Sequence, residues 1–317
     1  MPDLATASTA NSPIATIPGV AVVLVLLSAL FATVAPGFLS AANLSNVLMQ
    51  STILLMIALP MTLIIMTEGL DLSVGAVLTL ASVVLALTVV ATGSFILGLA
   101  TALAVGLAFG VLNGILVAWM AIPPFVATLG TLGVAQGLAL IVSDGQSVVG
   151  VPPSILFIYS GKVSGVPMPI VLGGAAYLFF HVLLYHTRFG TYVPALGGNR
   201  EALKLAGVPD RGMLIAVYGL GGIMAGVAAM LLTARMNAGH PTAALGMEFD
   251  AIAAVAVGGT SFERGNGWLF GTLLGVFAVG ILRNGLNLMA VPSSAQVACI
   301  GVLVILALYI DSLRGPS

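Results

Sequence analysis

Charge is what this sequence lacks most. Asp, Glu, Lys and Arg make up 6% of its 317 residues, against about 25% in soluble domains. So few charges cannot cover the surface of a water-soluble fold of this length. Cys299 is the only cysteine, which excludes an internal disulfide and a thiolate metal site. The three histidines, His181, His186 and His240, form no cluster at metal-ligand spacing. Nine basic residues stand against ten acidic ones, so the basic stripe that nucleic-acid binding needs is missing. There are two lysines, Lys162 and Lys204, and neither sits in G-x-x-x-x-G-K-[ST]. The chain therefore has no loop of its own to cradle nucleotide phosphates. No nucleophile–base pair stands out either, so no catalytic residues, metal or cofactor are expected.

Long apolar runs are what it has instead. Residues 4–67 and 72–143 contain no charged side chain at all. A helix crossing a bilayer needs about 20 such residues. Polar, Gly/Pro or charged punctuation divides the chain into ten candidate spans: 17–35, 46–67, 74–92, 95–119, 124–142, 167–186, 212–234, 249–259, 268–289 and 295–311. Their continuous rather than alternating apolarity predicts helices, not barrel strands. The stretch 249–259 is too short to cross at 1.5 Å per residue, which predicts a half-helix or a span borrowing polar neighbours. The expected architecture is an all-α, polytopic membrane bundle forming one domain over 17–311. A flexible cytoplasmic tail is expected at 1–16 and a short tail at 312–317. Residues 1–16 lack a basic start, so a cleaved signal peptide is not expected.

Lys/Arg placement orients the bundle. With both termini cytoplasmic, Arg188, Arg200, Lys204, Arg211, Arg264 and Arg314 fall inside, Lys162 and Arg235 outside, and Arg283 within a span. The chain also partly repeats itself. Residues 110–132 resemble 280–303: Asn113-Gly114 precedes Asn284-Gly285 by 171 positions, and Met120-Ala121 precedes Met289-Ala290 by 169. Glu68 to Asp71 and Glu248 to Asp250 interrupt the apolar pattern upstream of each copy. This pattern predicts two halves of equal polarity, a parallel repeat.

The polar segment 187–211 holds four of the nine basic residues together with Glu201 and Asp210. Gly197 and Gly198 offer backbone freedom and Asn199 is a good N-cap. Arg200 to Leu205 reads as a short helix, with Gly207 as its stop and Pro209 beyond. Such a unit can dock a soluble partner, or it can be an ordinary cytoplasmic loop. Asp71 and Ser73 can cap the helix that begins near Val74, or mark a solute path or gate together with Asp250. Asn113, Gln136 and Asn284 are amides within apolar spans. They suit a hydroxylated solute and equally suit hydrogen bonding between helices. His240-Pro241, Arg235, Lys162 and the 143–166 stretch form the expected outer surface.

Three ordered motifs then point to a family. GGNREALKLAG at 197–207 resembles the GGN-x-EAA-x-x-x-G loop in permease subunits of ATP-binding-cassette sugar importers of the ribose/xylose/galactose class. EGLDLSVGAV at 68–77 resembles that family's G-[IL]-DLSVG, and DAIAAVAVGGTSFERGNG at 250–267 its DAIAAVVIGGTS-x-x-GG-x-G. Glu68 stands where Gly is common, and Glu263 to Asn266 replace a Gly-rich tetrad. The resemblance runs over roughly 40–311. It implies a permease dimer in the inner membrane, carrying two ATPase subunits and served by a periplasmic sugar-binding protein. It also implies that Gly197, Gly198, Asn199, Arg200, Glu201, Ala202 and Gly207 couple the ATPase to the spans. The solute would be a monosaccharide or related polyol. The competing reading is a carrier for a small polar solute driven by an ion gradient, using Glu68, Asp71, Glu248 and Asp250.

Overall fold

The computed structural model describes residues 19–262 and 265–313. The 1–16 tail, Glu263, Arg264 and Arg314 lie outside the described residues. Among those described, helices α1 (Gly19–Val34), α2 (Ala41–Met66), α3 (Val74–Thr92), α4 (Phe95–Ala118) and α5 (Pro124–Val142) come first. A short α6 (Pro153–Ser160) and a hairpin of β1 (Lys162–Val163) with β2 (Val166–Pro167) lead into α7 (Met168–His186). Then follow α8 (Arg188–Gly198), α9 (Arg200–Leu205), α10 (Asp210–Met236), α11 (Met247–Val257), α12 (Leu269–Leu288) and α13 (Ser293–Leu313). Seven of these, α2 to α5, α7, α10 and α12, are long and apolar enough to cross a membrane. The fold is thus an all-α membrane bundle. α1 and α11 are shorter, and α13 continues past the expected span end at 311.

α2 is the central helix, buried without interruption from Ser51 to Met66 even across Pro60. Around it pack α10, α12, α7 and α11. The tightest seam joins α4 to α10. Ala102, Gly106, Gly110 and Gly114 recur every four residues along α4, so they share one face. They meet Gly222 and Gly226 of α10: a Cβ on Gly110 would stand 3.0 Å from Gly219 Cα, and one on Gly226 2.8 Å from the Ala102 carbonyl oxygen. Small residues let two backbones touch in this way, which replaces the hydrophobic effect as the source of association within a bilayer.

The two ends of the bundle are distinct. One end gathers α8, α9, Thr67 to Gly69, Ala121 to Pro124 and Gly265 to Gly267. The other holds the links after α1, α3, α5 and α10. α4 finishes at the α9 end, where Val117, Ala118 and Ala121 line a cavity with Gly197 and Arg200. α12 begins at that end, its Trp268 Nε1 donating to the Gly258 carbonyl at 2.8 Å. It finishes at the opposite end, with Gly285 against Phe31 and Asn284 bonded to Asn43.

The two copies of the internal repeat therefore run in opposite directions, and the expected parallel arrangement is corrected to an inverted one. The local resemblance itself is physical. Ala121 and Ala290 both close their helices at positive φ, 52° and 55°, and a proline two residues later starts the next helix in each case. Turn chemistry repeats in sequence, but the number of intervening crossings decides polarity. That parity depends on how 237–257 traverses the bundle. Gly239 packs on Ser82 and Val83 of α3, the Ala244 N–H bonds Thr79, and Glu248 lies against Gly75. The segment thus descends α3 from near Ala86 to Gly75, about 16 Å at 1.5 Å per residue. α11 continues this run as a short helix, so the stretch expected to be a half-helix or a span borrowing polar neighbours combines both features.

Candidate functional site

The 187–211 segment folds into two helices, of which α9 was legible and α8 was not. Asn199 caps α9, its Oδ1 accepting from the Ala202 N–H at 2.9 Å. Gly207 ends it at φ +76°, a conformation that glycine adopts without a Cβ penalty. Gly197 and Gly198 serve differently from the expectation. Both lie in the last turn of α8 and neither has positive φ. Gly197 is needed for closeness instead: a Cβ there would strike the Met66 carbonyl oxygen and stand 3.1 Å from Gly265 Cα. Gly267 in turn faces Met66 Cγ and Thr260. The last turn of α8 thus touches Met66, just before the 68–77 motif, and Gly265 of the third motif, while Glu68, Gly69, Gly197 and Gly198 line one cavity.

The charges of α9 divide between holding and presenting. Arg200 Nε donates to Asp210 Oδ2 at 2.8 Å, tying α9 to the start of α10. Arg200 is thus tied within the chain through Nε while its side chain stays 40% exposed. Glu201 is 81% exposed and pairs with Lys204 at 2.9 Å, an exposed i,i+3 pair of small energetic worth. Leu205, at the tip, is 90% exposed. Sequence reading passed over it, although a leucine closing a polar segment is the available signal. Beside α9 opens a cavity of about 680 Å³, lined by Glu68, Ala121, Pro123, Gly198, Arg211 and Tyr218 among others.

The residues considered for a solute path separate into distinct clusters. Asp71 Oδ1 accepts from the Ser73 N–H at 2.8 Å and from Ser73 Oγ at 2.6 Å. Ser73 Oγ accepts from Asn113 Nδ2 at 2.8 Å, and Asn113 Oδ1 accepts from Thr131 Oγ1 at 2.7 Å. This buried relay joins the α2–α3 break to α4 and α5, and Ser73 rather than Asp71 is the N-cap residue of α3. Thr131 was missed. Its signal was Thr128 one turn earlier, whose Oγ1 reaches the Leu70 carbonyl at 3.2 Å.

Asp250 lies elsewhere, paired at 2.6 Å with Arg283 of α12. Asn284 exchanges two 2.8 Å bonds with Asn43, a reciprocal amide pair linking α12 to α2. Gln136 Nε2 donates to the Pro241 carbonyl at 2.8 Å, at the end remote from α9. No group of three or more His, Cys, Asp or Glu capable of holding a metal occurs among the described residues.

A test of the relay follows directly. Asp71→Asn keeps an oxygen to accept both Ser73 bonds and should assemble near normally. Asp71→Leu leaves buried donors unsatisfied, each at a cost of about 1–3 kcal/mol, and should lower membrane yield. Yield and uptake measured together check this: normal yield with lost uptake in Asp71→Leu would assign Asp71 to the solute path.

Seven long apolar helices around a buried polar relay, with a short capped helix at one end, define a polytopic all-α membrane protein. Residues 43–308 match the family described as branched-chain amino acid transport system / permease component, and the chain belongs to that family. It is similar to the ribose import permease protein RbsC of Escherichia coli (strain K12), 38% identical over 295 residues that make up 92% of each chain. It is also similar to the RbsC protein of Bacillus subtilis (strain 168), at 37% over 278 residues, 87% of this chain and 86% of that one. The D-allose transport system permease protein AlsC of Escherichia coli (strain K12) is 33% identical over 293 residues, 92% of this chain and 90% of its own. No solved structure matches the chain.

Proposed function

We propose that this chain is the transmembrane subunit of a binding-protein-dependent importer that moves a monosaccharide or related polyol by alternating access, driven by a separate ATPase. The observation that carries the reading is the packing of the last turn of α8, next to α9, against Met66 and Gly265. A push on α9 passes to the end of α8 and, through Gly197, reaches Met66 at the edge of the α2–α3 break. It reaches the link between α11 and α12 through Gly265. The sugar class rests on the ribose and allose permeases to which the chain is similar.

In this reading the α9 end faces the cytoplasm of a cell with an inner membrane, in keeping with Arg188, Arg200, Lys204 and Arg211 gathered there. Ten membrane segments result, namely the seven long helices, α1, α13 and the two-part passage of 237–257. Two copies work together, lipid surrounds them, and a periplasmic sugar-binding protein lands on the opposite end around the 143–166 stretch. Residues 17–311 act as one permease domain, with 187–211 as the coupling loop. The path or gate role of Asp71, Ser73, Asn113 and Asp250 is indirect, through the rigidity of the relay and the ion pair. Of the four carboxylates of the ion-driven reading, Asp71 and Asp250 are engaged inside the protein, while Glu248 Oε2 is buried with no hydrogen-bond partner among the described residues.

The test is co-purification of the ATPase subunit and uptake of labelled ribose in vesicles. Burying the side chain of Leu205 in a partner contributes about 1.5–3 kcal/mol, so Leu205→Asp should weaken association roughly tenfold or more. Gly207→Trp has open space for its side chain but strained backbone at φ +76°, so it should disturb the end of α9 and lower coupling. Glu201→Lys should leave the protein folded and weaken association. All three retaining full ATPase binding and uptake would make the segment a mere connector.

A further inference from the structure

At the end of the bundle away from α9, two irregular segments are clasped together. Val148, in the link after α5, and Gly239, in the link after α10, exchange both backbone hydrogen bonds, at 2.8 and 2.9 Å. Directly beside them Ser147 Oγ meets His240 Nδ1 at 2.5 Å. One residue further, Gln136 of α5 donates to the Pro241 carbonyl. These few hydrogen bonds are what joins the 143–150 link to the 237–246 segment, which is itself packed along α3.

The two sides of the clasp differ: Gly239 is packed against Ala86, Ser82 and Val83 of α3, while the 143–150 link is the side free to swing. Residues 144 and 145 have positive φ on one side of Val148, and Gly150 has it on the other. Asn237 and Gly246, at φ 52° and 88°, bracket the partner segment. α5 packs on α3, yet Gly130, Gly133 and Gly137 face open space. Its first turn, Pro123 and Pro124, lines the cavity beside α9. α5 thus runs from an open cavity at one end to a clasp at the other, pinned between them by the Thr131–Asn113 bond. The clasped segment 237–246 leads straight down α3 into the half-helix α11.

We propose that Ser147, Val148, Gly239 and His240, with Gln136 and Pro241 behind them, form an outer latch that closes the solute path at this end and must part before solute can enter. This rests on the reading of the chain as an importer permease. The structure then has its α9 end open and its outer end shut. Val149, 68% exposed next to the bridge, is the handle through which a solute-binding protein landing from outside would loosen it.

The experiment locks the latch covalently. Ser147 and His240 are directly opposed in the antiparallel bridge, at the non-hydrogen-bonded register, where Cα atoms lie about 4.5 Å apart. That spacing suits a disulfide. The Ser147→Cys/His240→Cys pair is made with Cys299→Ala and assembled in vesicles with ATPase and solute-binding subunits. Ribose uptake is then followed in oxidised and reduced samples. Oxidation should abolish uptake at least tenfold while the ATPase subunits stay bound, and a reductant should restore it. Equal uptake in the oxidised and reduced forms would overturn the latch. Wild-type complex that moves no sugar at all would instead overturn the permease reading. Conversely, Ser147→Ala/His240→Ala should raise ATP hydrolysis severalfold in the absence of the binding protein, and a wild-type rate there would also count against the latch.

Discussion

Gly222→Leu is expected to prevent assembly of the bundle. A Cβ at Gly222 collides with the Gly106 carbonyl oxygen, and lies 2.7 Å from that carbonyl carbon and 3.0 Å from Gly110 Cα. Backbone atoms cannot move aside as a flexible side chain can, so α4 and α10 must separate along the whole glycine seam. Overpacking typically costs about 1–3 kcal/mol, and here at least the upper figure applies, against total stabilities of about 5–15 kcal/mol. Gly130→Leu is the matched control, because a Cβ there meets nothing within 4 Å. The measurement is the yield of monodisperse protein after detergent extraction, with its thermal unfolding. Equal behaviour of the two variants would mean that the α4–α10 seam does not hold the fold.

Arg283→Ala should be the most damaging charge deletion. Asp250 is buried, with 5% of its side chain exposed, and Arg283 is its salt-bridge partner at 2.6 Å. Removing the arginine strands a carboxylate inside the protein, a change that costs about 3 kcal/mol or more. Because Arg283 is itself 38% exposed, water can reach part of the site and the loss should fall at the lower end. α11 would lose its tie to α12. Asp250→Asn in the Arg283→Ala background should recover much of the stability, since no charge is then left unpaired. Thermal stability of the two single variants and the double variant gives the coupling directly. A double variant no better than Arg283→Ala would remove the ion pair as the cause.

Much of this was legible in the chain. The helices at 74–92 and 124–142 fall at their expected limits, because apolar runs ended by Gly, Pro or Ser leave little freedom about where a helix stops. Asn199, Arg200 to Leu205 and Gly207 form the expected cap, helix and stop for the same local reason. α8 was not legible, since Pro194 and three glycines within Arg188–Gly198 argue against a helix on propensity alone. It forms because Val193 and Leu196 bury themselves and because its glycines permit contact with Met66 and Gly265. Arg283 read as a lone charge in a span. Its partner, 33 positions earlier, follows from α11 lying along α12.

What the sequence determined by itself is therefore what neighbouring residues decide: membrane residence, from the scarcity of charge; most helix limits; the α9 unit; and the family, from three motifs. Tertiary structure alone decided which residues meet. It set the inverted sense of the repeat, which depends on the two-part passage of 237–257. It joined Asp71, Ser73, Asn113 and Thr131 into one relay while placing Asp250, Gln136 and Asn284 elsewhere, although all had looked alike as polar groups in apolar runs. The physical reason is that a buried polar atom must find a partner, but local sequence does not say which helix brings it. Packing of glycine against backbone settles that, and only the assembled bundle shows where it occurs.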